Sequence, residues 1–159
     1  MTVRRTRTVE VAVDGVPAPR WRGKLRRFCS LVMQEAGAVG WELSLLLCDD
    51  SRMMDLNRRY RGAERPTDVL SFPGHLEPTP HGRPLRGRAV TGDIAFSLDT
   101  LRRNAREYGV SVDEELKRLV VHGILHCAGM DHGSDRHGKM LALQESLLAA
   151  LEKERIIGK

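Results

Sequence analysis

The sequence predicts an α+β fold, close to the α/β class, in which helices pack on a small four-stranded, mostly parallel mixed sheet. Four segments carry strand signals, and five segments repeat apolar residues at helical spacing. Strands and helices mix along the chain without strict alternation, which favours one small sheet covered by helices. A chain of 159 residues is long enough to bury a core, so residues 1–159 are expected to form a single domain.

The predicted strands differ in their hydrophobic pattern. Polar and apolar side chains alternate in the first, which is typical of a half-buried strand, whereas the second is a short apolar run. The fourth contains a Gly-Asp pair at 92–93, which predicts a break in the strand. The four predicted strands cover residues 6–13, 42–48, 67–72 and 90–97.

Capping residues delimit three of the predicted helices. Ser97 is placed to cap a helix that runs to Gly109, and a capping box at 111–114 opens the next helix, which continues to residue 127 or 128. A last amphipathic helix begins at Ser134. The buried side of that helix is predicted to contain Met140, Leu143, Leu147, Leu148 and Leu151. The first two predicted helices cover residues 21–36 and 49–59.

Residues 73–88 are predicted to be irregular, because this segment contains four prolines and three glycines. An irregular segment of this length inside a compact domain is usually functional or mobile. The sequence leaves the role of this segment open.

Positive charge is concentrated in two segments of the chain. Residues 1–30 carry eight Arg and Lys against two acidic side chains, and residues 51–90 carry eight against four, within a net charge of +5. Such clusters favour a polyanionic partner such as nucleic acid, although solvated arginine faces are common in soluble proteins.

The pattern of apolar residues and the number of cysteines indicate the cellular compartment of the protein. No stretch approaches the ~20 uninterrupted apolar residues of a membrane helix, and the N-terminal segment lacks the apolar core of a secretory signal. Cys29, Cys48 and Cys127 are odd in number and far apart, so we expect three free thiols. We therefore expect a cytoplasmic protein with no membrane partner.

Three of the six histidines lie within eleven residues, and their spacing predicts a metal site on one helix and the turn after it. His122 and His126 are four residues apart, so both imidazoles project from one helix face. Gly129 is placed to take the left-handed conformation that turns His132 toward them. Three neutral imidazoles leave a fourth tetrahedral position open, the pattern of a catalytic centre, so we predict one zinc ion per chain.

Two neighbouring residues restrict the chemistry of this site. The spacing matches that of zinc proteases, but Gly123 occupies the position of their Glu general base, so a peptidase mechanism of that type is excluded. Cys127 lies beside the histidines and a thiolate can bind metal, but its helical position favours an inward-facing small apolar residue.

The segment at 122–132, HGILHCAGMDH, resembles the HGxLHLxGYDH signature of the YbeY family of bacterial endoribonucleases and rRNA maturation factors, with Cys127 and Met130 in place of the usual Leu and Tyr. Blocks at 56–62, 65–73 and 92–94 are similar in the same order. The resemblance implies a single-strand-specific, zinc-dependent endoribonuclease that acts in rRNA processing and in late maturation and quality control of the small ribosomal subunit. It also implies that His122, His126 and His132 bind the zinc and that Arg61 is needed for catalysis.

The remaining candidate residues receive roles from their chemistry. Arg61 suits a phosphate grip, because its planar guanidinium can hold two oxygens. Arg58, Arg59 and Arg65 are candidates to extend the substrate-binding groove, with a solvated surface charge as the favoured alternative for each. Asp93 is expected to stabilise a turn or to orient a metal-bound histidine, rather than to act as a base. The identity of the general base stays open.

Two rival functions also stay open. A non-catalytic ribosome-assembly factor would use the metal to stabilise its fold and its arginine-rich face to bind rRNA, and the missing Glu at 123 favours this hypothesis. A metal-dependent hydrolase of a small molecule or peptide is disfavoured by the distribution of arginine. For the leading hypothesis, the expected partners are single-stranded RNA or rRNA, the small ribosomal subunit, and ribosomal or assembly proteins.

Overall fold

Four strands and five helices form the described part of the chain, which in this computed structural model comprises residues 6–74, 85–130 and 134–158, with the backbone alone for 134–137. The elements are, in order, β1 (Arg7–Asp14), α1 (Arg22–Glu35), β2 (Gly40–Cys48), α2 (Asp50–Arg61), β3 (Val69–Pro73), β4 (Ala89–Ser97), α3 (Leu98–Tyr108), α4 (Val112–Cys127) and α5 (Ser134–Ala150). All nine predicted elements are therefore confirmed, with ends that shift by a few residues.

The sheet has the strand order β1-β2-β4-β3. β1 pairs parallel with β2 and β2 pairs parallel with β4, whereas β3 runs antiparallel to β4 at the edge. This arrangement confirms the predicted small, mostly parallel mixed sheet. The edge strand β3 borders the candidate site described below.

The predicted break at the Gly92-Asp93 pair of β4 is wrong. The strand is continuous, and Gly92 and Asp93 pair in register with Leu43 and Ser44 of β2. The glycine serves close packing instead, because a Cβ atom at position 92 would lie 2.6 Å from Sγ of Cys127 on α4. Gly92 therefore lets α4 approach the sheet without interrupting the strand.

The main core lies between one face of the sheet and helices α1, α4 and α5. α4 runs through its centre, with an apolar surface that is fully or almost fully buried. Its buried apolar residues are Leu116, Leu119, Val120, Val121, Ile124, Leu125 and Cys127. A helix fixed on so many sides provides a rigid support for the histidines near its C-terminal end.

None of the helices in the described ranges is long and apolar enough to cross a bilayer.

α2 covers part of the opposite face of the sheet with a smaller apolar cluster. Met53 and Leu56 of α2 pack there against Leu70 of β3 and Ala95 of β4. The helix ends at Arg61, because Gly62 adopts the left-handed conformation with a φ of 69°. This packing places the last turn of α2 beside the edge strand β3.

The segment after α5 is fastened to the first turns of α4. Lys117 Nζ donates hydrogen bonds to the carbonyl oxygens of Leu151 at 3.0 Å and Glu152 at 3.3 Å. Asp113 Oδ1 accepts the backbone N–H of Ile156 at 2.8 Å and of Ile157 at 2.7 Å. Because both anchors belong to α4, they fix the position of α5 along that helix.

Candidate active site

His122 and His126 lie one turn apart near the C-terminal end of α4, and their Nε2 atoms are 3.0 Å apart. Their ring centroids are 4.5 Å apart with the planes at 78°. Two bare lone pairs repel at this distance, so a proton or a bound cation is required between the two nitrogens. Two nitrogens bonded at about 2.1 Å to one tetrahedral zinc ion lie about 3.4 Å apart, so the pair fits a shared metal.

The ring of His122 is held from α5 by a residue that the sequence analysis did not single out. Oε1 of Gln144 lies 3.0 Å from Nδ1 of His122, and the Gln144 side chain is 3% exposed. An amide oxygen accepts but cannot donate, so Nδ1 is the donor in this contact. The signal for Gln144 is its spacing, because it is a polar residue within the buried stripe formed by Met140, Leu147 and Leu151.

The chain turns immediately after the histidine pair. Gly129 has a φ of 89°, which confirms the predicted left-handed glycine. The backbone N–H of Met130 donates to the carbonyl of Leu125 at 3.0 Å, and Arg88 Nη1 donates to that of Ala128 at 3.3 Å, so these two carbonyls at the end of α4 are satisfied. His132 lies outside the described residues, and its role as a ligand stays a prediction. Among the side chains that the structure describes, no three His, Cys, Asp or Glu residues form a group able to hold a metal.

Arg61 and the histidine pair line the same cleft, which has a volume of about 540 Å³. Nη2 of Arg61 donates to the carbonyl oxygen of Ser71 on β3 at 3.0 Å, and its guanidinium carbon lies 5.7 Å from the centre of the Phe72 ring. The described lining consists of Arg61, Asp68, Val69, Leu70, Ser71, Pro73, His122, His126, Gly129 and Met130. The cleft therefore contains both the guanidinium of Arg61 and two imidazoles that follow it by more than 60 positions in the sequence.

The protein-family model described as "Endoribonuclease YbeY" matches residues 9–152, nearly the whole chain. The chain belongs to the endoribonuclease YbeY family. Two relatives of that name are 45% identical over 126 residues, in Treponema denticola, and 39% identical over 134 residues, in Aquifex aeolicus. These alignments cover 79% and 83% of this chain and 80% and 85% of the relatives.

The fold of this YbeY-family chain is also similar to a solution structure of a Thermotoga maritima protein. The TM-score is 0.59, and the match covers 92% of this chain and 93% of that protein at 24% sequence identity. At this level of identity the likeness supports the fold alone.

Two cleft residues of this YbeY-family chain, Asp68 and Ser71, received no role in the sequence analysis. Asp68 Oδ1 accepts the backbone N–H of Val69 at 2.8 Å, and its Oδ2 accepts Nδ2 of Asn104 at 3.1 Å. These bonds tie the start of β3 to α3. Both residues lie in the block at 65–73 that resembles the YbeY family, and this resemblance was the signal in the sequence that could have found them. Only the fold shows that they face the cleft.

Arg58 and Arg59 are exposed on α2 and do not line the cleft. Arg58 Nη2 instead donates to Oδ1 of Asp55 at 2.8 Å. The two arginines precede Arg61 on the same helix. Because they lie outside the cleft lining, their contribution to a longer RNA-binding groove stays a prediction.

The expected role of Asp93 beside a histidine is wrong. Gly92 and Ile94 face α4, and strand alternation directs Asp93 to the opposite face of the sheet, where it is exposed in a groove beside Tyr60. The error follows from the predicted break in β4, since an uninterrupted strand fixes the face of each side chain.

Cys127 is buried in the core against Gly92, as its helical position predicted. Burial, together with the negative charge of Asp93, raises the pKa of the Cys127 thiol to about 12. The thiol therefore stays protonated at neutral pH, a form that binds metal poorly.

Packing also accounts for Gly123. A Cβ atom at this position would lie 2.9 Å from Cγ2 of Ile94 and 3.3 Å from Oγ of Ser71. A side chain at position 123 would therefore collide with Ile94 of β4 and crowd Ser71 of β3. The missing Glu thus reflects how closely α4 approaches β4 in this YbeY-family protein, and Gly123 by itself does not favour a non-catalytic role.

Proposed function

We propose that this YbeY-family protein is a zinc-dependent endoribonuclease that cleaves single-stranded RNA in rRNA processing and late maturation of the small ribosomal subunit. Membership of an endoribonuclease family supports an RNA-cleaving enzyme. The single observation that carries the proposal is that Arg61 and the paired imidazoles line one cleft. The rRNA substrate, the ribosomal subunit and partner assembly proteins follow from the family resemblance.

The residues proposed to hold one zinc ion per chain are His122, His126 and His132. The 3.0 Å separation of the two described Nε2 atoms and the acceptor on the far side of the His122 ring suit this donor set. When bound, the ion supplies Lewis-acid chemistry, which polarises a phosphoryl oxygen and makes a water molecule more acidic. The imidazoles bind in their neutral form, so binding weakens as the pH falls below about 6.

Arg61 is proposed to bind and orient the scissile phosphate. Its guanidinium carries five N–H donors, and the structure assigns one nitrogen, Nη2, to the carbonyl of Ser71. The remaining donors form a planar fork that matches two phosphate oxygens and stabilises negative charge as it develops. The Ser71 contact therefore orients Arg61 without consuming its capacity for phosphate.

The walls of the cleft also offer apolar surface. Val69 and Met130 are half-buried members of its lining. Unpaired bases can pack against such surface, whereas the bases of a duplex are stacked on one another and inaccessible. This supports single-strand specificity.

The proposal is tested by incubating the zinc-loaded protein with a single-stranded rRNA fragment and with the same fragment annealed to its complement. We expect cleavage of the single strand only, loss of cleavage after chelation, and recovery when zinc is added back. The zinc-loaded protein binding RNA without cleaving it would favour the assembly factor. A zinc-loaded protein that neither binds nor cleaves RNA would favour a hydrolase of another substrate.

A further inference from the structure

Gln144 is a buried polar residue at a position where the helix pattern calls for an apolar one. It projects from α5 between Met140 and Leu147 and is 3% exposed. A buried amide costs free energy unless it is hydrogen-bonded, so this residue needs a polar partner across the helix interface. His122 Nδ1, 3.0 Å from Oε1, provides that partner.

We propose that Gln144 is the positioning residue that holds His122 in the tautomer protonated at Nδ1, which leaves the Nε2 lone pair for a divalent metal ion. This inference rests on the proposed metal-dependent function. A neutral imidazole carries one ring proton, and the acceptor Oε1 places that proton on Nδ1. The opposite tautomer would place a proton on Nε2, the nitrogen that faces His126.

The acceptor also fixes the orientation of the ring. With Nδ1 bound toward α5, Nε2 points to the other side of the ring, where Nε2 of His126 lies 3.0 Å away. The chain after α5 is anchored to α4 by Lys117 and Asp113, so the two helices that carry the donor and the acceptor are held in register. Gln144 therefore acts from a fixed support.

The direct test is the tautomer of His122 in the metal-free full-length protein at about pH 8, where a histidine with an ordinary pKa is neutral. A long-range ¹H–¹⁵N correlation spectrum distinguishes the two tautomers by the shifts of both ring nitrogens. We expect the Nδ1–H form in the wild type and in Gln144→Glu, which keeps an acceptor oxygen. We expect Gln144→Leu, which removes it, to shift His122 toward the Nε2–H form.

Zinc affinity, measured by competition with a chromophoric chelator, provides the second readout. Gln144→Leu should weaken zinc binding by about 10- to 100-fold, whereas Gln144→Glu should keep it. Glu145→Leu is the matched control, because Glu145 is the exposed neighbour on the same helix and its loss should leave affinity and tautomer unchanged.

An Nε2–H tautomer in the wild type would overturn the proposal, as would a Gln144→Leu variant that keeps both the tautomer and the affinity. The wild-type spectrum needs no variant, so an Nε2–H result overturns the proposal even if Gln144→Leu fails to fold. If the wild type shows the Nδ1–H form and Gln144→Leu loses it, but the wild type binds no zinc, the proposed metal-dependent function fails while the positioning of His122 by Gln144 is upheld.

Discussion

Nη2 of Arg61 donates a hydrogen bond of 3.0 Å to the carbonyl oxygen of Ser71. This bond joins the last turn of α2 to the edge strand β3, and it holds the guanidinium in the cleft that contains His122 and His126. The contact explains how a long, exposed side chain acquires a defined position. Edge strands leave backbone carbonyls without a partner strand, and here one of them orients Arg61.

Replacement of Arg61 by Lys tests the planar fork. A lysine keeps the charge but cannot bind two phosphate oxygens in one plane, so kcat for single-stranded RNA should fall by about 10- to 100-fold. Zinc content should be unchanged, since no metal-binding atom is altered. Steady-state cleavage kinetics of a fluorescently labelled oligonucleotide measure the effect. Wild-type kcat in Arg61→Lys would remove the two-pronged contact from the mechanism.

Gly123 and Gly138 form a matched pair that separates packing from helix propensity. An alanine Cβ at 123 would meet Ile94 at 2.9 Å, whereas none of the atoms that the structure describes lies within 4 Å of the corresponding position at 138. Gly138→Ala should stabilise the protein by up to about 1 kcal/mol. In Gly123→Ala the same gain is offset by an overpacking cost of about 1–3 kcal/mol, so the variant should be less stable than Gly138→Ala.

Urea unfolding with a circular-dichroism readout gives both free energies of unfolding. Equal stabilisation by the two substitutions would show that α4 has room to move away from β4. In that case Gly123 would no longer be explained by its packing against the sheet.

The hydrogen bonds of the Asp50 carboxyl group predict that the folded protein loses stability in acid. Burial alone raises the pKa of this carboxyl group, but hydrogen bonds from Arg103, Ser97 and Thr100 outweigh it and lower the pKa below the ordinary value. A group with a lowered pKa in the folded state stabilises fully above its unfolded pKa of about 3.9. That stabilisation is lost as the pH falls below about 4 and through the folded pKa.

The variant Asp50→Asn isolates this effect. It should cost about 1–2 kcal/mol at pH 7, because hydrogen bonds to a charged acceptor are replaced by weaker ones. The difference in unfolding free energy between wild type and variant should shrink toward pH 3. A difference that stays constant over this range would show that Asp50 titrates alike in the folded and unfolded states.

The salt dependence of RNA binding tests the surface arginines of α2. If Arg58 and Arg59 contact phosphates, the plot of log affinity against log salt concentration should lose about 0.7 of slope for each one replaced by Ala. Zinc content should not change. Equal slopes in the wild type and both variants would leave these residues as solvated charges, as the pairing of Arg58 with Asp55 already suggests for one of them.

Local patterns were sufficient to predict the elements of this fold. Helical and strand periodicities located all nine, and capping residues gave helix ends, because Ser97 and Ser111 accept backbone N–H groups of the first turns they cap. Gly129 was predictable for the same reason, since a left-handed C-terminal turn is a local property. The HxxxH spacing likewise placed two imidazoles on one face.

Relationships across the sheet were not predictable from local patterns. The contact of Arg61 with Ser71 depends on the antiparallel pairing of β3, which the sequence did not determine. The orientation of Asp93 depended on whether β4 continued through Gly92, and the close approach of Cys127 that explains this glycine is a tertiary contact. Gln144 was missed because a single polar residue in an apolar stripe acquires meaning only when the opposite helix is known.

Zinc content and RNA cleavage, measured together in wild type, His122→Ala and Arg61→Ala, test most directly whether one cleft combines a metal site with a phosphate grip. The wild type should contain about one zinc per chain and cleave single-stranded RNA. His122→Ala should lose both properties, whereas Arg61→Ala should keep its zinc and lose cleavage by about 100- to 1,000-fold. Cleavage at the wild-type rate by His122→Ala without zinc, or by Arg61→Ala, would contradict the proposed active site.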